Sequence, residues 1–84
     1  MRKEKTLYRK IGDIFWENVR NEIEERDLTL AQFERELGLT RLYITQATNA
    51  GNLPRSIIIE KIAKYLELDY YVLFIDEAND SYSL

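Results

Sequence analysis

The chain has 84 residues, of which 45% are hydrophobic and 12% aromatic, enough for one modest core and too few for a second domain. Its formal net charge is −3, from 12 Lys and Arg against 15 Asp and Glu, whereas compact nucleic-acid-binding proteins are usually basic. The absence of cysteine and histidine excludes disulfides and thiolate metal sites and removes the commonest general base.

The composition also bears on catalysis and on membranes. No nucleophile–base pair, metal cluster or phosphate-binding glycine loop is evident in the sequence, so we expect no enzyme activity and no cofactor. No apolar run approaches the roughly 20 residues that span a bilayer, and the basic N-terminus lacks an apolar signal core. We therefore expect a soluble, cytoplasmic protein without membrane contact, folded as a single domain over residues 1–75.

The N-terminus concentrates positive charge. Residues 1–10 carry five cations against Glu4 alone, and the rest of the chain is net acidic. Residues 1–6 can be an arm that follows a DNA backbone or enters its minor groove, or a frayed, solvated terminus. We favour the frayed terminus and expect a flexible basic segment. The cations are Arg2, Lys3, Lys5, Arg9 and Lys10.

A long first helix is predicted from Leu7 to near Asp27. Apolar residues recur there at intervals of three and four, at Ile11, Ile14, Phe15, Val19 and Ile23. Tyr8 and Trp16 lie beside this stripe, so they either border the core or belong to a partner surface. The acidic cluster that follows is predicted to be the solvated face of the helix, and it comprises Glu22, Glu24, Glu25 and Asp27.

Two short helices are predicted next, on either side of Gly38. Thr29 can cap the first, whose Phe33 and Leu37 share one face. The second is predicted to start near Thr40, with its apolar residues Ile44 and Ala47 turned inward and its polar residues Arg41, Thr45, Gln46 and Asn49 turned outward. This spacing indicates a helix-turn-helix, although glycine-linked helix pairs also occur in helical domains of other kinds.

The remainder of the chain predicts two further elements. Residues 50–54 form a turn, and Ser56 to Leu68 has the periodicity of a helix. Asp69 can cap a last element, Tyr70 to Ile75, whose composition fits either helix or strand. Six consecutive apolar or aromatic residues exceed what one face can bury, so Tyr70, Tyr71, Phe74 and Ile75 are predicted to serve a homodimer contact. The acidic tail, residues 76–84, is expected to be disordered.

From Val19 to Phe74 the chain resembles the lambda-repressor-like, XRE-type helix-turn-helix family. The pattern Thr-x3-Phe-x3-Leu-Gly-Leu-Thr begins at Thr29, and it continues without a gap through Ile44, Asn49, Pro54, Ile62-Ala63 and Leu66. The resemblance implies an all-α bundle of about five helices, the last at Tyr70 to Ile75. It also implies a transcriptional regulator of bacterial or phage type, whose second motif helix enters the major groove of double-stranded DNA.

On this interpretation the candidate DNA-binding residues lie in and around the second motif helix. Thr40 would cap it and contact a phosphate, while Arg41, Thr45 and Gln46 approach base edges. The candidates are Thr40, Arg41, Tyr43, Thr45, Gln46, Asn49, Asn52 and Arg55. Residues 29–56 contain only three cations, Arg35, Arg41 and Arg55, so a monomer should bind DNA weakly unless a dimer or the N-terminal arm adds charge.

Four positions depart from the family pattern. Leu30 stands where a phosphate-binding Gln is common, Thr48 replaces a common Glu, and Ala50 stands where the helix-ending Gly is usual, with Gly51 after it. Glu34 replaces a small Ala where the two motif helices meet, so its carboxylate must turn outward or find a partner, such as Arg35 or Arg41.

These departures and the acidic balance leave an alternative open. The same fold could serve as a protein-interaction module, such as a phage or mobile-element factor or an antitoxin-like partner. Trp16, Tyr43 or residues 70–75 would then contact the other protein.

Overall fold

Helices account for all regular structure in the part of the chain that the computed structural model describes, residues 10–76. Four α-helices are followed by a short 3-10 helix, which confirms the all-α class and the helical state of residues 70–74. The elements are α1 Ile11–Glu25, α2 Leu30–Leu37, α3 Tyr43–Ala50, α4 Ser56–Leu66 and the 3-10 helix Tyr70–Phe74. Within this part, no helix has the length and apolarity that crossing a bilayer requires.

Some of the expectations from the sequence concern residues outside this range. The flexible basic segment at residues 1–6, the first turn of the predicted helix at Leu7 with Tyr8, and the tail after Asp76 all lie outside the described residues.

One apolar core joins all five elements. Phe15 packs edge-on against Trp16, with ring centroids 4.9 Å apart, and Phe33 packs in the same way against Tyr65 at 5.3 Å. Full burial of each large apolar side chain contributes about 1.5–3 kcal/mol. The buried hydrophobic residues are Phe15, Trp16, Val19, Ile23, Phe33, Leu37, Ile44, Ile62, Ala63, Leu66 and Leu73.

Helix α2 begins and ends as its sequence predicts. The Thr29 hydroxyl accepts a hydrogen bond from the Gln32 backbone N–H, and the Gln32 side chain accepts one from the Thr29 backbone N–H, so the two form a capping box. Gly38 ends the helix with φ +72°, a conformation that glycine adopts without steric cost. Gly51 ends α3 in the same way, with φ +69°.

The predicted start of the second motif helix near Thr40 is wrong. Helix α3 begins at Tyr43, and its N-cap is Leu42, which has φ +67° and provides no side-chain cap. Thr40 lies in the preceding turn, where its carbonyl oxygen accepts a hydrogen bond from the Tyr43 N–H. Thr40 therefore does not cap α3.

Trp16 is a core residue, so its prediction as part of an exposed partner surface is wrong. The side chain is fully buried. Its Nε1 donates to the Asn52 carbonyl oxygen at 2.7 Å, and its ring meets the Tyr43 ring edge-on. Trp16 therefore ties α1 to the loop that follows α3.

The 3-10 helix divides its aromatic residues between core and surface. Phe74 lies against Phe15, with centroids 5.2 Å apart, and is half-buried, so its assignment to the exposed contact surface is corrected. Tyr70, Tyr71 and Ile75 remain exposed. The helix is held on α1 because the Asn18 amide donates to the carbonyl oxygens of Leu73 and Ile75.

Gly12 permits the closest approach between α1 and the loop after α3. A Cβ at this position would lie 2.5 Å from the Gly51 carbonyl oxygen, a backbone atom that cannot move aside cheaply. Gly12→Ala is therefore expected to destabilise the fold by about 1–3 kcal/mol through overpacking, despite the better helix propensity of alanine. Urea unfolding measures this loss, with Asn21→Ala on the exposed part of α1 as a neutral control. A Gly12→Ala variant as stable as the parent chain would contradict the contact.

Candidate nucleic-acid interface

Glu34 of α2 caps α3. Its carboxylate is buried, with Oε2 accepting from the Ile44 N–H at 2.9 Å and Oε1 from the Leu42 N–H at 3.1 Å. These N–H groups belong to the start of α3, where helix donors lack partners within the helix and the dipole favours negative charge. Glu34 therefore does not turn outward but finds a partner, and its partners are backbone N–H groups instead of Arg35 or Arg41.

The outer face of α3 is polar and uncharged. Gln46 and Asn49 are exposed, and Thr45 is half-exposed. Ile44 is buried, and Ala47 packs against the core, as the spacing predicts. The helix therefore presents amide and hydroxyl groups to solvent along its length.

A cleft beside α3 brings together four of the predicted DNA-binding residues. Tyr43, Gln46, Asn52 and Arg55 line an open space of about 460 Å³ between α3, the following loop and the start of α4. Its apolar lining comes from Ala47, Leu53, Pro54 and Ile58. Tyr43 is half-buried and packs on Trp16, which fixes the ring at one wall of the cleft.

Arg41 and Asn49 lie apart from this cleft. Arg41 borders a groove with Glu34 and Arg35, on the side of the turn before α3. Asn49 borders another groove, with Thr48 and residues of α1 that include Asp13. The candidate residues are thus spread along α3 and its flanking segments, an arrangement suited to an elongated ligand and unsuited to a small one.

A helix-turn-helix family model matches residues 19–73 of the chain. The chain belongs to the XRE-type helix-turn-helix family. This membership confirms the resemblance drawn from the sequence and makes the chain a DNA-binding regulator in general terms. No characterised protein and no solved structure matches the chain significantly.

The structure accounts for two departures from the pattern of the XRE-type helix-turn-helix family. Leu30, where a phosphate-binding Gln is common, packs against the core and adds to the apolar contacts of α2. Glu34 caps α3 where other members have a small Ala. Thr48 remains unexplained, since its buried hydroxyl lacks a hydrogen-bond partner within the described residues.

Two contacts at this interface do not follow from the sequence. The role of Glu34 depends on donors 8 and 10 positions further along the chain, so no local pattern identifies them. Lys10 belongs to the basic N-terminal segment of the sequence, and its side chain lies beside Gly51 at the end of α3. The periodicity of α1 gives the face of each residue, but not the loop against which its first turn packs.

Replacing Glu34 tests the cap of α3. Glu34→Ala removes both acceptors and leaves two N–H groups without partners, so we expect a loss of about 2–3 kcal/mol in the free energy of unfolding. Glu34→Gln retains one acceptor oxygen and is expected to lose less. Glu36→Ala, on the exposed part of the same helix, is the matched control and should change stability by under about 0.5 kcal/mol. Urea unfolding followed by circular dichroism compares the three, and equal losses for Ala at both positions would exclude the cap.

Proposed function

We propose that this chain is a sequence-specific, double-stranded-DNA-binding transcriptional regulator of bacterial or phage type. The observation that carries the proposal is the polar, uncharged outer face of α3, in a family whose motif serves DNA binding. An α-helix fits the major groove, where amide and guanidinium groups distinguish base pairs by paired hydrogen bonds.

The residues divide between base recognition and backbone contact. We assign base edges to Arg41, Thr45 and Gln46, with guanine the expected partner of arginine and adenine that of glutamine. We assign the DNA backbone to the remaining candidates, which contribute hydroxyl, amide or guanidinium donors: Thr40, Tyr43, Asn49, Asn52 and Arg55.

Arg41 reaches the bases from the turn, because α3 starts two residues after it. The side chain is exposed, and the turn leaves it free to approach a groove edge at the N-terminal end of α3. Gln46 lies within the helix, so its direction is fixed more firmly. Gln46 is therefore the sharper test of base recognition.

The operator is first identified by selecting bound duplexes from a random pool and sequencing them. Gln46→Ala is then expected to weaken binding to the selected sequence by about 5- to 150-fold, since a good bidentate contact contributes roughly 1–3 kcal/mol of discrimination. Binding to random duplex should change less than about twofold. Fluorescence anisotropy measures both affinities.

Asn49→Ala is the matched control for Gln46→Ala. As a backbone contact, Asn49 is expected to affect the selected and random duplexes to the same extent. If Gln46→Ala also weakened both equally, Gln46 would have no role in recognising bases.

We further propose a homodimer formed through Tyr70, Tyr71 and Ile75. Their exposed fractions are 62%, 60% and 40%, and they lie in or directly after the 3-10 helix that Asn18 holds on α1. Two copies related by a twofold axis would cover this apolar surface and present two α3 helices to adjacent half-sites.

Tyr71→Arg is expected to shift the protein from dimer to monomer in sedimentation velocity, because two like charges would meet across the twofold axis. Ile57→Arg is the matched control, since Ile57 is equally exposed but lies at the start of α4. A parent chain that is monomeric at micromolar concentration would contradict the homodimer. Monomeric protein that also binds no duplex at low salt would favour the protein-interaction role that the sequence left open.

A further inference from the structure

A continuous path of four aromatic rings joins the 3-10 helix to the first residue of α3. Phe74 of the 3-10 helix lies on Phe15, with ring centroids 5.2 Å apart. Phe15 meets Trp16 at 4.9 Å, and Trp16 meets Tyr43 at 6.2 Å. Phe15 and Trp16 are fully buried, and closely packed interiors transmit displacement with little compression. The 3-10 helix and α3 are therefore held in a fixed relative position through α1.

Hydrogen bonds from two residues of α1 restrain the same two parts of the fold. Trp16 Nε1 donates to the Asn52 carbonyl oxygen at 2.7 Å, in the loop after α3. The Asn18 amide nitrogen donates to the carbonyl oxygens of Leu73 and Ile75, each at 2.9 Å. Residues two apart on a helix point about 200° away from each other, so Trp16 and Asn18 act on opposite sides of α1.

The carbonyl groups that Asn18 binds belong to the proposed dimer contact. The last carbonyl groups of a helix lack partners within the helix, and here the Asn18 amide donates to two of them. Ile75 offers its carbonyl oxygen to Asn18 and its side chain, 40% exposed, to the proposed second copy. The direction in which the 3-10 helix presents Tyr70 and Tyr71 is thus set from α1.

We infer that Asn18 is a positioning residue that fixes the spacing between the two half-sites of the operator. The inference rests on the proposed function, including the homodimer. In a twofold dimer, the separation and relative rotation of the two α3 helices follow from the angle between α3 and the dimer contact within each subunit. One additional base pair rotates one half-site by about 35° and moves it by about 3.4 Å. A subunit whose 3-10 helix is held by Asn18 therefore binds tightly at one spacing.

The test uses duplexes that carry two copies of the selected half-site, separated by different numbers of base pairs. For the parent chain, we expect a change of one base pair from the preferred spacing to weaken binding by at least about tenfold. Asn18→Ala removes both hydrogen bonds to the 3-10 helix, so the same change should weaken binding by less than about threefold. The base preference within each half-site should stay unchanged. Fluorescence anisotropy measures the affinities, at protein concentrations where sedimentation velocity shows a dimer.

Asn18→Asp is a second variant, of the same size as the parent side chain. A carboxylate accepts hydrogen bonds but does not donate them, so this variant should also tolerate more spacings. Asn21→Ala and Asn21→Asp are the matched controls, because Asn21 is exposed on the same helix and the changes in size and charge are identical. Both controls should keep the parent's preferred spacing. Circular dichroism checks that each variant retains its helix content.

The dependence on spacing distinguishes positioning from a general loss of stability. Tolerance of more spacings by both Asn18 variants, with the parent's preference in the Asn21 variants, supports the inference. Weaker binding by the same factor at every spacing, or an unchanged preference, overturns it and leaves the proposed function intact. A parent chain that binds every spacing equally overturns the inference and the homodimer. Absence of binding to any duplex at about 50 mM salt overturns the DNA-binding function as well.

Discussion

The position of α3 depends on the two hydrogen bonds that its first backbone N–H groups donate to the buried Glu34 carboxylate. Burying a carboxylate is costly, and here two charge-assisted hydrogen bonds and the positive end of the α3 dipole offset that cost. The same contact holds Leu42 at φ +67°, a conformation unfavourable for a residue with a Cβ. The start of α3 and the position of Arg41 in the turn before it both depend on this carboxylate.

Helix α1 supplies the corresponding restraint at the other end of α3. Gly12 and Trp16 hold the loop at Gly51 and Asn52, one through close backbone approach and the other through a hydrogen bond from a buried indole. Glu34 fixes the beginning of α3 and α1 fixes its end, and neither of these contacts uses the side chains of Thr45, Gln46 or Asn49. Because α3 is already ordered, side chains on its outer face can bind a ligand without the free-energy cost of ordering the helix.

The sequence predicts those parts of the fold that depend on neighbours within one or two helical turns. Thr29 and Gly38 mark the limits of α2 through local cap chemistry, and the inward positions of Ile44 and Ala47 follow from helical spacing. It does not predict contacts between distant segments. The partner of Trp16 is 36 residues away, and no periodicity distinguishes a buried aromatic residue beside the apolar stripe from an exposed one. At the candidate site, the polar face of α3 was therefore predictable, whereas its cap and start were not.

The outer face of α3 carries no charged side chain, so residues that contribute affinity for DNA and residues that contribute specificity would lie in different places. Thr45, Gln46 and Asn49 provide donors and acceptors without net charge, so they add little to the counterion release that drives non-specific DNA binding. Affinity must then come from cations outside the helix, and a twofold assembly would double each such contact. An uncharged surface of this kind attracts random DNA only weakly. It adds affinity mainly at sequences whose base edges complement its hydrogen-bond donors and acceptors, and this difference is the source of selectivity. The net charge of −3 acts in the same direction on every duplex, so it lowers affinity without favouring one sequence over another.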